Sequence, residues 1–277
     1  MLDDRLHNEN NEAVAAVGFW WHSIDLGGGL VSPGHKSASQ LAQELKSMKL
    51  PDLHGKSVLD MGAWDGFFSF EAERLGASRV VAMDYHAWHS DMDKLFRQRN
   101  EKQSSKGNDE TNEAPPQIWY QNELPGKRAF DLAARLRNSR VESIDADFMS
   151  VDLDQVGMFD ITLFLGVLYH TRNPLLSLER IARLTKELAV IETEAIVLPG
   201  YEDLSVCEFY ETDELNKDAS NWWAPTLPAL LGMCRAAGFK QAEALNDPPM
   251  TGKRARLKTA IGGAKPVHYR AFVHAWK

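Results

Sequence analysis

The sequence predicts an α/β protein with a doubly wound, mostly parallel sheet of seven strands. Three observations predict it: the composition is that of a globular protein, short apolar runs recur along the chain, and segments with helical spacing separate most of these runs. The chain has 277 residues, of which 44% are apolar, so it is long enough to bury a large core. Strands that alternate with helices pair in parallel and form a sheet that is covered on both faces.

The elements follow from local patterns. Residues 1–18 are predicted to form a tail or a weak helix. Apolar runs predict strands over residues 57–61, 79–83, 141–144, 161–165, 187–194, 240–245 and 269–276. Helical spacing predicts helices over residues 38–50, where Ser37 is the cap, 67–75, 130–136, 174–183 and 228–237.

A long insertion is predicted between the second and third strands, over about residues 88–140. This is more chain than such a connection needs. Its polar middle, residues 101–110, has no apolar anchor, and we expect it to be mobile. We predict that the insertion lies over the ligand-binding end of the sheet, with a plain surface excursion as the alternative. The expected organisation is an N-terminal helical extension or lid over residues 1–54 and a core domain over residues 55–277.

Composition argues against several functions. With 31 basic and 39 acidic residues the net charge is -8, so no sequence-wide positive field attracts nucleic acid or anionic membrane. No apolar run approaches the ~20 residues of a membrane-spanning helix. The polar N-terminus lacks a secretory signal, so we expect a cytoplasmic protein. Two cysteines are too few for a disulfide framework, and the His86/His89 pair lacks further ligands, so we expect no metal.

The strongest motif is a glycine turn after the first core strand. Gly62 lets the chain turn tightly, and Gly66 is expected to let the next helix approach a ligand. Asp84 ends the next core strand, where nucleotide folds place the carboxylate that accepts ribose hydroxyl protons. Trp64 stands near the middle glycine of the dinucleotide fingerprint and would obstruct a pyrophosphate. A ligand without phosphates fits better, and Asp60 can take its cationic amino group through intervening backbone or water.

This spacing resembles motif I and the acidic ribose site of class I methyltransferases, which implies S-adenosylmethionine as cofactor. A βαβ unit without a cofactor is the alternative. The position of Gly166 after the fourth strand would let a sulfonium lie close to the backbone, with an ordinary loop glycine as the alternative. The further residues predicted to bind the cofactor are Ala63, Trp64, Tyr85, Asp147 and Phe148.

Polar groups leave the carboxyl end of the fourth strand, where open α/β sheets bind substrates. Tyr169 can face the sulfonium or a substrate carboxylate. His170 or His22 is the candidate base for an acceptor that must lose a proton, because imidazole titrates near neutrality. For both histidines an orienting hydrogen bond is the alternative.

Substrate contacts are predicted from aromatic and basic residues. Trp20 and Trp21 can form an aromatic wall with Trp222 and Trp223, although core packing also explains such residues. Arg172 can hold an acidic substrate. The basic run at residues 252–258 is the best argument for RNA, but a run this short is usually solvated.

Several segments together resemble the tRNA wobble-uridine carboxymethyltransferases and their shorter relatives. They are Phe-Trp-Trp-His-Ser-Ile-Asp-Leu-Gly at 19–27, Ser-Pro-Gly at 32–34, the strand and turn at 58–66, Gly-Val-Leu-Tyr-His-Thr-Arg-Asn-Pro at 166–174 and Asn-Trp-Trp-Ala-Pro-Thr at 221–226. The resemblance implies a Rossmann-like class I methyltransferase fold whose N-terminal segment folds back over the active site.

In those tRNA enzymes the cofactor is carboxy-S-adenosylmethionine, and a lysine, a tyrosine and a C-terminal arginine hold its extra carboxylate. Tyr169 matches the tyrosine and Arg270 the arginine, but the lysine has no counterpart nearer than Lys36. We therefore predict a methyltransferase that uses ordinary S-adenosylmethionine on the O, N or S atom of a small-molecule acceptor. The alternatives are tRNA wobble-uridine carboxymethylation with carboxy-S-adenosylmethionine and a catalytically inert nucleotide-binding module. The sequence is also compatible with a homo-oligomer.

Overall fold

The computed structural model describes residues 2–104, 117–249 and 265–277. Its strands are β1 (Asp25–Gly27), β2 (Leu30–Val31), β3 (Ser57–Met61), β4 (Arg79–Asp84), β5 (Glu142–Asp145), β6 (Phe159–Leu165), β7 (Thr185–Val197), β8 (Cys207–Phe209), β9 (Trp223–Pro225), β10 (Gln241–Ala244) and β11 (Val267–Trp276). Its α-helices are α1 (Leu2–Ala16), α2 (Ala38–Met48), α3 (Phe67–Arg74), α4 (His86–His89), α5 (Met92–Ser104), α6 (Arg128–Leu136), α7 (Leu153–Val156), α8 (Pro174–Leu184) and α9 (Leu227–Ala236).

A seven-stranded sheet in the order β10-β11-β7-β6-β3-β4-β5 forms the centre of the protein. Strands β3 to β7 are parallel, and β11 is antiparallel to both of its neighbours. The predicted doubly wound, mostly parallel sheet is therefore confirmed. Because the parallel strands run in one direction, their carboxyl ends meet along one border of the sheet, which we call the site edge.

The core lies on both faces of the sheet because successive side chains of a strand point to opposite faces. On one face Leu59, Phe164 and Ile191 pack with helices α8 and α9. On the other face Val58, Leu163 and Val190 pack with helices α2 and α3.

The predicted cap of α2 is confirmed. Ser37 accepts a hydrogen bond from the N–H of Gln40, and the Gln40 side chain accepts one from the N–H of Ser37, so the two residues form a capping box. The helix ends at Lys49, which has a left-handed conformation. In the segment predicted to be a tail or a weak helix, residues 2–16 form the helix α1.

The long connection between β4 and β5 contains helices as well as loops. Residues 101–104 end α5, so the first part of the polar stretch at 101–110 is helical. The remainder of that stretch and the basic run at residues 252–258 lie outside the described residues. Within the described ranges no helix is long and apolar enough to cross a membrane.

Candidate active site

The glycine turn packs tightly against the segment that follows β6. Gly62 has a φ of 83°, and a β-carbon there would collide with a methyl group of Val167. Gly66 has a φ of 88°, and its β-carbon would lie 2.6 Å from the Phe130 ring and 2.8 Å from the Phe70 ring. Aromatic rings therefore occupy the space beside Gly66, and its role in the approach to a ligand stays a prediction.

The backbone of this turn is tied to the end of β4. The N–H groups of Gly62 and Ala63 donate to the carbonyl of Met83, at 2.8 and 3.2 Å. The N–H of Trp64 donates to the Asp84 carboxylate at 2.9 Å. A phosphate site needs free N–H groups that point at the ligand. These three are already used, which agrees with the expectation of a ligand without phosphates.

Two buried carboxylates flank the turn. Asp84 accepts hydrogen bonds from the N–H groups of Trp64 and Ala87, each at 2.9 Å, and burial raises its pKa. Asp60 accepts from the Ser69 hydroxyl at 2.6 Å. Burial raises the pKa of Asp60 to about 6, and the Ser69 hydrogen bond opposes this shift. Each carboxylate oxygen can accept a further hydrogen bond, so both residues retain capacity for a ligand.

A third carboxylate, Asp65, anchors the N-terminal segment to the turn. It is fully buried and accepts hydrogen bonds from the N–H groups of Trp21 and His22, at 2.9 and 2.8 Å. Its other oxygen contacts Nδ1 of the His22 ring. The sequence analysis missed Asp65, although an acid between the two turn glycines was a visible signal. The buried contact supports the orienting alternative for His22.

The predicted aromatic wall is divided into separate groups. Trp21 stacks on Trp64 with ring centroids 4.8 Å apart and planes 4° apart. Trp20 instead lies in the core and donates to the carbonyl of Val14. Trp222 lies beside the turn after β6, where its backbone N–H donates to the Tyr169 carbonyl at 2.8 Å.

The basic and aromatic residues around that turn contact each other. The Arg172 guanidinium lies 4.7 Å from the Trp222 ring centroid. The Trp223 indole donates to the carbonyl of Arg172 at 3.3 Å. The ring of Trp222 therefore occupies one face of the Arg172 guanidinium, which was predicted to hold an acidic substrate.

His170 is held by residues that precede β9. Its Nδ1 lies 3.1 Å from the carbonyl oxygen of Ser220 and 3.0 Å from the Ser220 hydroxyl. Burial lowers the pKa of His170 to about 4. The imidazole is therefore neutral at pH 7 and is a weaker base than an ordinary histidine. This geometry supports the orienting alternative for His170.

Arg270 is engaged by two acids that the sequence analysis missed. It pairs with both carboxylate oxygens of Glu192, and its Nη1 lies 3.3 Å from Glu194. Its guanidinium lies 4.8 Å from the ring centroid of Tyr169, whose pKa is raised by burial. The alternating acids of the run Glu-Thr-Glu, which interrupts the apolar part of this strand from residue 188 to 197, were the available signal.

These side chains converge on Gly166, which has a φ of 73°. A β-carbon on Gly166 would lie 3.5 Å from Arg270 Nη2, 3.7 Å from Glu192 Oε2 and 3.9 Å from the Tyr169 hydroxyl. Because Gly166 has no side chain, there is open space at the site edge beside these three polar groups.

The sequence comparisons point to one group of relatives. No family model matches the chain. A tRNA U34 carboxymethyltransferase of Syntrophotalea carbinolica is 34% identical over 84 residues, which are 30% of this chain and 25% of that protein. One of Marinobacter nauticus is 22% identical over 199 residues, which are 71% of this chain and 48% of that protein. The chain thus spans between a quarter and about half of the length of these relatives, and the resemblance seen in the motifs is confirmed.

Solved structures extend the likeness to nearly the whole chain. The N-terminal domain of EvdMO1, in the presence of SAH and D-fucose, has a TM-score of 0.59 at 15% identity and covers 98% of this chain and 97% of its own. The arsenic(III) S-adenosylmethionine methyltransferase CrArsM of Chlamydomonas reinhardtii has a TM-score of 0.52 at 15% identity and covers 83% of this chain and 66% of its own. The chain has the class I S-adenosylmethionine-dependent methyltransferase fold.

In this methyltransferase fold the remaining predicted cofactor residues lie after β4 and β5. The Tyr85 ring lies 4.4 Å from His89 and 5.3 Å from Trp119 of the connection. Asp147 accepts from the N–H of Met149 at 2.9 Å, which is a local turn contact. The Phe148 ring packs edge-on at 5.6 Å against Phe164 of the core. Their contacts with a cofactor stay predictions.

The two histidines of the suspected metal pair are used in other ways. His89 Nε2 lies 3.0 Å from Asp145, and its Nδ1 lies 2.8 Å from the carbonyl oxygen of Tyr120. His86 packs its ring against Trp119 at 5.6 Å. Over the ranges that the structure covers, no group of three or more histidine, cysteine or acidic side chains is arranged to hold a metal.

Proposed function

We propose that this protein is a methyltransferase that uses S-adenosylmethionine and transfers a methyl group to a small-molecule nucleophile. The observation that carries the proposal is the hydrogen bonding of the glycine turn and of the two carboxylates beside it. The N–H groups of Gly62, Ala63 and Trp64 are bonded to β4, while the carboxylates of Asp60 and Asp84 retain acceptor capacity. Carboxylates suit a ligand with an ammonium group and ribose hydroxyls, and they repel a diphosphate.

The residues at the site edge fit this cofactor in three places. Asp60 would take the ammonium group, Asp84 the ribose hydroxyls, and the open side of Gly166 would face the sulfur centre. The bound cofactor supplies an activated methyl group, so the protein has mainly to align the acceptor and exclude water. The Tyr169 hydroxyl lies at the open side of Gly166 and would contact the acceptor.

Calorimetry with S-adenosylmethionine, S-adenosylhomocysteine and NAD tests the proposal. We expect the two adenosyl compounds to bind and NAD to show no heat of binding. Asp84→Ala should abolish binding, whereas Asp52→Ala, at an exposed residue between α2 and β3, should leave the affinity unchanged. Binding of NAD, or unchanged affinity in Asp84→Ala, would refute the cofactor assignment.

A small acceptor is supported by the nature of the structural neighbours. The EvdMO1 domain, which covers 98% of this chain, was solved with the sugar D-fucose. The described part of the site edge also contains the acids Glu192 and Glu194, which do not favour a phosphate backbone.

The second candidate function is tRNA U34 carboxymethylation with carboxy-S-adenosylmethionine. The names of the sequence relatives favour it. The pairing of Arg270 with two carboxylates weighs against it, because the guanidinium is not free to receive another anion. Mass spectrometry of the copurified nucleoside ligand separates the two functions, since the carboxylated cofactor is heavier. A carboxylated ligand together with a shift of tRNA in a gel would establish the second function.

A further inference from the structure

Two acids lie near the carboxyl end of β7, and the first of them, Glu192, borders the space in front of Gly166. Glu192 and Glu194 alternate along β7, so their side chains lie on the same face of the sheet. We call this pair the acidic wall. Each residue is only 7% exposed, so its charge is poorly screened by water.

Among the residues that the structure describes, the charge of the acidic wall is only partly compensated. Arg270 is the guanidinium that contacts it, so two carboxylates and one cation leave a net charge of -1. His268 lies 3.7 Å from Glu194 and 3.4 Å from Glu208. When His268 and Glu208 are added to this group, its total formal charge is -2 if the imidazole is neutral and -1 if the imidazole is protonated. The group is negative in both states of His268.

The acidic wall lies close to the position assigned to the charged sulfur of the cofactor. A β-carbon on Gly166, the open position assigned above to the sulfur centre, would lie 3.7 Å from Glu192 Oε2 and 3.5 Å from Arg270 Nη2, so the net charge of the whole group acts there. S-adenosylmethionine carries a positive charge on sulfur, whereas the product S-adenosylhomocysteine is a neutral thioether. A group with a net negative charge close to that atom attracts the first compound and not the second.

We propose that Glu192 and Glu194 determine cofactor specificity by binding the sulfonium charge. The acidic wall makes the protein prefer S-adenosylmethionine over S-adenosylhomocysteine and disfavours a cofactor with an added carboxylate. This inference rests on the proposed function. It goes further because it assigns the preference to two residues that neither the glycine turn nor the ribose site includes.

The same charge restricts the acceptor. When an uncharged oxygen or nitrogen attacks, its lone pair bonds to the methyl carbon, the carbon–sulfur electron pair stays on sulfur, and the acceptor's proton leaves to solvent. Positive charge therefore moves from sulfur to the acceptor, and nearby carboxylates stabilise it. An acceptor with a negative group beside its nucleophile would be repelled.

The test is the ratio of the two dissociation constants, measured by calorimetry at one pH on the full chain. We expect Glu192→Gln and Glu194→Gln each to lower the preference for S-adenosylmethionine over S-adenosylhomocysteine by roughly fivefold or more, because each removes a unit charge near the sulfur. Glu187→Gln is the matched control, since Glu187 lies on the same strand but is exposed and paired with Lys56. It should leave the ratio unchanged.

A third ligand tests the repulsion directly. Carboxy-S-adenosylmethionine should bind the wild type at least ~10-fold more weakly than S-adenosylmethionine. Glu192→Gln should reduce this difference in affinity between the two compounds. If both adenosyl compounds bind and the ratio is the same in all variants, the proposal is wrong while the proposed function stands. If neither compound binds the wild type, both are refuted. Circular dichroism checks that each variant is folded. If Glu192→Gln does not fold, the same affinities are measured on Glu194→Gln.

Discussion

Asp65 accepts a hydrogen bond from the backbone N–H of His22 and contacts the imidazole Nδ1 of the same residue with its other oxygen. One buried carboxylate therefore fixes both the main chain and the side chain of a residue 43 positions earlier in the sequence. Through this contact the N-terminal segment is joined to the glycine turn.

Asp65→Ala should destabilise the protein strongly. The change leaves the buried N–H of His22 and the N–H of Trp21 without their acceptor, at about 1–3 kcal/mol for each lost partner. We expect the free energy of unfolding in urea to fall by about 3 kcal/mol. Asp25→Ala is the control, because the exposed Asp25 side chain accepts one hydrogen bond among the described residues, from the N–H of Gly27, and its loss should cost less than about 1 kcal/mol. Equal losses in the two variants would show that the buried contact is unimportant.

Gly62→Ala should cost more stability than Gly55→Ala. Both glycines have positive φ, 83° and 73°, so both variants incur about 1–2 kcal/mol of backbone strain. An added β-carbon meets nothing within 4 Å at Gly55, whereas at Gly62 it collides with Val167. The collision should add about 1–3 kcal/mol in the same urea titration. A difference near zero would mean that the turn relaxes away from Val167.

Gly166→Ala separates stability from cofactor binding. The nearest atom to its new β-carbon would be 3.5 Å away, so only the φ of 73° is unfavourable and the loss of stability should match that of Gly55→Ala. The methyl group would nevertheless occupy the space assigned to the sulfur centre. We expect the affinity for S-adenosylmethionine to fall at least ~10-fold, because an added methyl group has no room to relax beside a bound ligand. Wild-type affinity in this variant would place the sulfur elsewhere.

The pKa of Asp60 predicts how stability depends on pH. Burial raises this pKa from 3.8 to about 6, so the folded state prefers the protonated carboxyl. The stabilisation is complete below pH 4 and is lost as the pH rises through 6. In Asp60→Asn the side chain does not ionise. The difference in unfolding free energy, variant minus wild type, should therefore increase by about 3 kcal/mol from pH 4 to pH 7. A constant difference would contradict the raised pKa.

The same group predicts how cofactor affinity depends on pH. An ammonium group binds the ionised carboxylate, so the affinity of the wild type for S-adenosylmethionine should increase as the pH rises from 5 to 7. Below the pKa the increase approaches about tenfold per pH unit. Asp60→Asn should bind more weakly, with a flatter profile. If wild type and variant have parallel profiles, Asp60 does not contact the amino group.

The sheet could be predicted from the sequence because its strands are short apolar runs with turn residues on either side. Each of the predicted runs, including the one that ends at Asp84, became a strand of the sheet. The hairpins β1–β2 and β8–β9 were not predicted. Their strands have two or three residues each and are fixed by tertiary contacts rather than by a local pattern.

The candidate site was harder to predict because neighbouring residues have different surroundings. Trp20 and Trp21 are adjacent and identical in type, but one is buried in the core and the other stacks on Trp64. Glu192 and Glu194 interrupt an apolar strand, and only the register with β11 shows that Arg270 pairs with them. Spacing in the sequence does not contain this cross-strand information.

The stack of Trp21 on Trp64 makes the docking of the N-terminal segment observable without labels. Two indoles this close and nearly parallel couple their electronic transitions, so the native protein should show a paired signal in circular dichroism that neither indole gives alone. Loss of that signal at a lower temperature than the loss of helix would mean that the segment leaves the turn while the sheet remains folded. The spectrum alone would then report the release of the N-terminal segment from the glycine turn.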